Sequence, residues 1–85
     1  MPEVSRFHGI KIRMYYSEHE APHFHARYGE HKLTVRLSDG AFTGRFPPRV
    51  RRQVLSWYAS KRTDLWQNWW RLRARQPARW IPPTI

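Results

Sequence analysis

Apolar and polar residues alternate along three segments in the first half of the chain, residues 10–16, 23–28 and 32–37. A two-residue period is typical of strands that bury only one face. The Asp39-Gly40 pair after the third segment is a strong β-hairpin signal, so we expect a shorter fourth strand around residues 41–46. If consecutive strands pair as an antiparallel meander, the sheet has one apolar face and one face rich in His, Lys, Arg and Tyr.

The spacing of the apolar residues becomes helical in the second half of the chain. Pro47 and Pro48 suit the first turn of a helix, where the backbone donor that proline lacks would be unpaired anyway. A second helix is predicted to start with Thr63 as its N-cap and to end before Pro77. Strands followed by helices indicate an α+β fold, with a three- to four-stranded antiparallel sheet followed by two helices packed on one face.

Length and composition indicate a single domain over residues 1–85. It divides into a strand-rich half (1–46), a helical half rich in Arg and Trp (47–76) and a proline-rich tail (77–85). Five Trp, four Tyr and four Phe supply the core, and each such ring buries about 150–250 Å². The chain has no cysteine, so neither a disulfide nor a thiolate metal site stabilises this small domain.

Two pairs of apolar residues near the C-terminus are not assigned by their spacing alone. Trp69 and Trp70 are adjacent and cannot both face one core. We expect one of them in the core and the other under the tail, in a partner interface or against a base. Trp80 and Ile81 are candidate anchors that hold the tail to the domain.

The charge is large and unevenly distributed. Sixteen Lys and Arg oppose six Asp and Glu, for a net charge of +10. Residues 1–44 hold six basic and five acidic residues (+1), whereas residues 45–85 hold ten basic residues and one acidic residue (+9). Such asymmetry predicts a nucleic acid, with RNA favoured, or an acidic protein as partner. Because no signal-peptide core or membrane-length apolar stretch is visible, we expect a cytoplasmic protein without a membrane partner.

Basic residues in both halves are candidates for nucleic-acid contacts. The candidates are Lys11, Arg13 and Arg36 in the strands, and Arg45, Arg49 and Arg52 at and after the last strand. Arg49, Arg52 and Ser56 have the spacing of one helix stripe, which can follow a phosphate backbone. The alternative is an ordinary solvated helix face.

Three histidines, His19, His23 and His25, lie close together in the segment HEAPHFHA. The strand period places His23 and His25 on one face beside Arg27, about 6.5–7 Å apart along the strand, and His19 is expected to reach them from the preceding loop. Three hypotheses stay open. The histidines are polar surface or loop-pinning residues; they and Arg27 are catalytic, with an imidazole as acid–base and Arg27 stabilising charge; or the three histidines, with Glu18 or Glu20, hold a zinc-type ion. We expect no cofactor, with a divalent metal at the three histidines as the alternative.

The opening segment and the PHFHA motif resemble the DUF4160 family of small bacterial and archaeal proteins, whose label carries no established activity. The matching residues are Ser5, Phe7, Gly9, Ile10, His19, Pro22, His23, Phe24, His25 and Ala26. The chain departs from the family pattern at Ala21, where proline is usual, and its second half is more basic than that of many relatives. The resemblance implies one half of a two-gene operon in the style of toxin–antitoxin pairs, with a small acidic protein as cognate partner.

Two functional hypotheses follow. The first is a toxin-like nucleic-acid-binding protein that acts as a metal-independent ribonuclease. The second is a non-enzymatic binding module that docks an acidic protein partner or DNA through its Arg-rich helical half. The sequence does not decide between them.

Overall fold

A computed structural model of the chain describes residues 3–84. Five strands form one antiparallel sheet in the order β1-β2-β3-β4-β5, and two helices follow. The elements are β1 (Glu3–Phe7), β2 (Ile10–Arg13), β3 (His23–Tyr28), β4 (His31–Arg36), β5 (Phe42–Arg45), α1 (Pro48–Ser60) and α2 (Arg62–Arg73). The predicted α+β fold, with strands followed by two helices, is confirmed, and the sheet has one strand more than expected.

The additional strand is β1, whose sequence does not alternate cleanly. Val4 and Ser5 are both buried because the pairing of β1 with β2 shifts register between Glu3 and Ser5. An irregularity of this kind places two consecutive residues on one face, which removes the two-residue period. His8 and Gly9, both with positive φ (49° and 77°), form the tight connection to β2, as a two-residue hairpin turn requires.

The helices pack on one face of the sheet and bury its apolar residues. Phe24 of β3 lies at the centre, with its ring 5.8 Å from that of Trp57 and 6.1 Å from that of Tyr58, both on α1. All three are buried. On α2, Trp69 is buried while its neighbour Trp70 is half exposed, so one of the two tryptophans lies in the core, as expected.

The prediction of Thr63 as the N-cap of the second helix is wrong. α2 already begins at Arg62, and Lys61 is its N-cap without any side-chain capping hydrogen bond. Lys61 is also the C-cap of α1, because its backbone N–H bonds to the carbonyls of Trp57 and Tyr58. The two helices therefore share one junction residue, which leaves no room for a separate capping residue.

The tail returns to the sheet and is held at two points. Ile81 is buried, and its backbone N–H donates to the Val4 carbonyl at 2.7 Å. The Asn68 side chain bonds both the N–H and the C=O of Arg79 at 2.8 Å. Of the two anchors proposed from the sequence, Ile81 is one, whereas Trp80 is 56% exposed.

Candidate functional site

The sheet face opposite the helices, here called the open face, carries an unbroken row of positive charge. Register places Arg6 opposite Lys11, Lys11 opposite Arg27, Arg27 opposite Lys32 and Lys32 opposite Arg45. Each of the five strands thus contributes one basic residue to this cross-strand line, which we call the basic row. With strands about 4.8 Å apart, the row spans about 19 Å.

The basic row lowers the stability of the folded chain, because like charges directly opposite one another destabilise a sheet. Arg6 is paired with Glu3, at 2.8 Å. Within residues 3–84, no salt bridge involves the other four members of the row. Gly44 allows β5 to pair closely with β4, which places Arg45, the last member of the row, opposite Lys32. A Cβ at position 44 would collide with the Lys32 carbonyl oxygen and push β5 away from β4.

His23 and His25 of β3, here called the histidine pair, meet on the open face next to the basic row. Their Nε2 atoms are 3.1 Å apart. The Nδ1–H of His23 donates to the Ala21 carbonyl at 2.8 Å, which fixes the tautomer of the neutral ring and leaves its Nε2 as an acceptor. The Nε2–H of neutral His25 therefore donates to His23.

The second nitrogen of His25 faces Thr34 on β4. Its Nδ1 lies 3.3 Å from the Thr34 hydroxyl, so in the neutral pair this nitrogen accepts from the O–H. Tyr15 stacks on the His25 ring at 4.9 Å with the two planes 3° apart. Partial burial lowers the pKa of His25, the positive charge that His23 carries when it is itself protonated lowers it further, and the negative charge of Glu20 opposes the shift. His25 is thus neutral, and able to take up a proton, at neutral pH.

Glu20 completes the surroundings of the histidine pair. Its Oε2 is 3.2 Å from Nε2 of His23, and its side chain is 60% exposed whereas that of His23 is 6% exposed. A proton that arrives at His25 strengthens the hydrogen bond to His23 by giving it a charged donor, and the Glu20 carboxylate compensates the positive charge. The arrangement is a base supported by a second ring and an anion.

His25 lines two neighbouring depressions, one around the histidine pair and one along the basic row. A cleft of about 480 Å³, the histidine cleft, surrounds the pair and includes Tyr15, Glu20, Thr34 and Arg36. A neighbouring groove of about 400 Å³, the row groove, is lined by His25 together with Lys11, Arg27 and Lys32 of the basic row. A ligand lying along the positive charge therefore passes directly beside His25.

Comparison with known families finds a match over most of this structure. The family model described as "Domain of unknown function (DUF4160)" matches residues 9–70. The chain belongs to the DUF4160 family. The matched region includes the histidine pair and all of the basic row except Arg6. No curated protein and no solved structure matches this DUF4160 chain.

The DUF4160 chain brings together only part of the predicted catalytic set. His23 and His25 meet, but His19 lies exposed in the preceding turn, and within residues 3–84 none of its side-chain atoms forms a hydrogen bond or ion pair. Glu20, its neighbour, reaches His23 instead. Arg27 shares the face, but its Nε donates to the Gly29 carbonyl at 3.1 Å and it belongs to the basic row.

The six predicted nucleic-acid contacts divide among three places. Lys11, Arg13 and Arg45 lie on the open face, where Arg13 is opposite His25. Arg36 lines the histidine cleft but is paired with Asp39 at 2.6 Å, and this arginine and an N–H bond from Ala41 lower the pKa of Asp39 to about 2. Arg49 and Arg52 of α1 lie in a separate groove against the β1–β2 turn.

Three residues of the site were not predicted from the sequence. Arg6 was missed with its strand, and Tyr15 and Thr34 were not assigned to the histidine pair, whereas Glu20 was considered beside the histidines only as a metal ligand. A signal existed for Thr34 alone, because the meander places it opposite His25. Tyr15 and Glu20 lie between β2 and β3, and no local pattern gives the conformation of that connection.

Between residues 3 and 84, no group of three or more His, Asp or Glu side chains is arranged to hold a metal ion. In the same part of the chain, no helix has the length and apolar character needed to cross a membrane.

Proposed function

We propose that the chain binds single-stranded RNA across the open face and cleaves it beside His25. One observation carries the proposal, namely that a single groove is lined by His25 and by Lys11, Arg27 and Lys32 of the basic row. The row supplies positive charge for the phosphate backbone, and the pair supplies an acid–base group at the same place. The phosphates of a bound RNA would also supply negative charge to the four members of the row that form no salt bridge within residues 3–84.

RNA suits this site better than DNA because RNA carries its own nucleophile. His25 takes the proton of the 2′-hydroxyl through Nδ1, directly or by way of the Thr34 hydroxyl, which lies 3.3 Å away. The 2′ oxygen then bonds to phosphorus as the bond from phosphorus to the 5′ oxygen breaks. The 5′ oxygen leaves on the opposite side of phosphorus and takes a proton from solvent water, while protonated His25 returns its proton to the solvent, so the products are a 2′,3′-cyclic phosphate and a 5′-hydroxyl. Lys11 and Arg13 stabilise the charge that develops on the phosphoryl oxygens.

Glu20 and His23 act through His25 in this scheme. His23 accepts the hydrogen bond from Nε2–H of His25 and orients the ring, and Glu20 compensates the charge of the protonated pair. This is the general logic of a base that a third group orients. His23 and Glu20 are therefore positioning residues, and His25 is the proposed catalytic residue.

The binding step predicts a strong dependence on salt. Five phosphate contacts along the row give a slope of log K against log salt of about −3.5 for single strands, since each contact contributes about −0.7. A Lys11→Gln/Lys32→Gln variant should flatten the slope to about −2. Fluorescence anisotropy with a 2′-O-methyl oligonucleotide, which cannot be cleaved by this route, measures the slope.

The matched control for this experiment is Arg71→Gln/Arg79→Gln. It removes the same charge from the α2 side of the domain, where these arginines line neither the open face nor its grooves. Its slope should equal that of the unchanged chain. Undetectable binding at low salt, or equal flattening in both double variants, would show that the basic row is not the binding surface.

A further inference from the structure

A second basic groove lies on the other side of β1, away from the histidine pair. This groove, here called the helix groove, has a volume of about 820 Å³ and runs between the β1–β2 turn, α1 and the tail. Its polar lining residues include Arg6, His8, Arg49, Arg52, Gln53 and Ser56. Both its volume and its number of arginines exceed those of the histidine cleft, and the proposed cleavage does not use it.

The chemistry of the helix groove selects an anion. Among the described residues, its lining contains three arginines and no carboxylate. Within the described part of the chain, neither Arg49 nor Arg52 forms a salt bridge. α1 also begins beside this groove and has no acidic residue in its first turn, so nothing there offsets the positive end of the helix dipole. The amide of Gln53 and the hydroxyl of Ser56 add neutral donors.

Arg6 connects the helix groove to the basic row. It is the β1 member of the row, opposite Lys11, and it also lines the helix groove. Positive charge therefore continues around the edge of the sheet from the open face to α1. Phe7 and Pro83 line the same groove and provide an apolar surface on which a base can rest.

We propose that the helix groove binds a second segment of the same RNA strand, with its phosphates on Arg49 and Arg52. This inference rests on the proposed function, because the first segment is the one held by the basic row. A short oligonucleotide occupies the row alone, whereas a longer one also reaches the helix groove around Arg6. The binding site on the RNA is thus longer than the open face by itself, and affinity increases with length until both surfaces are occupied.

A length series separates the two surfaces. Uncleavable 2′-O-methyl oligouridines of about 6 and about 14 nucleotides, within the range of site sizes known for single-strand binders, are titrated by anisotropy at one low salt concentration. The unchanged chain should bind the longer one more tightly. Arg49→Gln/Arg52→Gln should weaken the longer one roughly tenfold and lower its salt slope by about 1.4, with little effect on the shorter one. Lys11→Gln/Lys32→Gln should weaken both.

Each remaining result contradicts a particular step. If Arg49→Gln/Arg52→Gln weakens binding of both lengths equally, the helix groove contributes only general surface charge. The same conclusion follows if Arg71→Gln/Arg79→Gln weakens binding of the longer oligonucleotide as much as Arg49→Gln/Arg52→Gln does. If the short oligonucleotide binds and affinity does not depend on length, the helix groove does not bind a second RNA segment, and the proposed function is unaffected. Failure of the unchanged chain to bind either length would overturn both. The melting curves of the unchanged chain and of Arg49→Gln/Arg52→Gln should coincide, because Arg49 and Arg52 are exposed.

Discussion

Phe24→Ala is expected to lower the free energy of unfolding by about 3–5 kcal/mol, the range for removal of a buried phenylalanine ring. Phe24 is fully buried between the sheet and α1, against Trp57 and Tyr58. A domain of this length buries a modest core, and natural domains are stable by only about 5–15 kcal/mol. The substitution therefore removes a large share of the total, and urea titration should show a lower midpoint with an unchanged slope.

Phe42→Ala is the matched control for that experiment. Phe42 lies on the edge strand β5, is 41% exposed and has the Arg51 guanidinium 5.0 Å from its ring centre. Because the Phe42 ring remains partly in contact with water in the folded chain, its replacement should lower the free energy of unfolding by less than about 1 kcal/mol. Equal losses for the two variants would mean that the core does not lie between the sheet and the helices.

His25→Ala is expected to reduce RNA cleavage by about 10²–10⁴-fold, the usual contribution of a general acid–base group. Binding of the uncleavable oligonucleotide should be unchanged, because the charge of the basic row is intact. The measurement is the single-turnover rate of cleavage of a labelled RNA, with identification of the 2′,3′-cyclic phosphate product. A variant that cleaves at the original rate would remove His25 from the chemistry and leave a binding protein.

The pH dependence tests the positions assigned to the two rings. Cleavage requires neutral His25, so its rate should fall as pH drops through the pKa of this ring, which lies below the ordinary 6.5. Burial is the largest cause of the lowered pKa and the proximity of His23 is the second. His23→Gln removes the second cause and keeps a hydrogen-bond acceptor, so the acidic limb should move to higher pH. An unmoved limb would show that His23 does not lower the pKa of His25.

Treatment with a chelator distinguishes the acid–base mechanism from a metal-dependent one. For the acid–base route, protein treated with a chelator should cleave RNA at the same rate and melt at the same temperature. Loss of activity and stability together, with recovery on addition of a divalent ion, would assign the histidine pair to metal binding instead.

Local patterns of the sequence determined most of the elements. Alternation gave the faces of β3 and β4, because adjacent residues of a strand point to opposite sides whatever the strand pairs with. The same rule placed His23 and His25 on one side, and their ring nitrogens do meet, at 3.1 Å. Pro47 and Pro48 marked the start of α1, because the first turn of a helix requires no proline N–H.

Tertiary structure decided what surrounds those residues. β1 has a register shift against β2, and register is a relation between two strands that neither sequence contains by itself. The basic row exists only because four such pairings align one basic residue from each strand. Glu20 reaches His23 through the conformation of a connection, and the helix groove joins Arg6 to Arg49 and Arg52 across more than forty positions of sequence. Periodicity is set by neighbours along the chain, whereas these sites are set by contacts between distant segments, so only the folded chain assembles them.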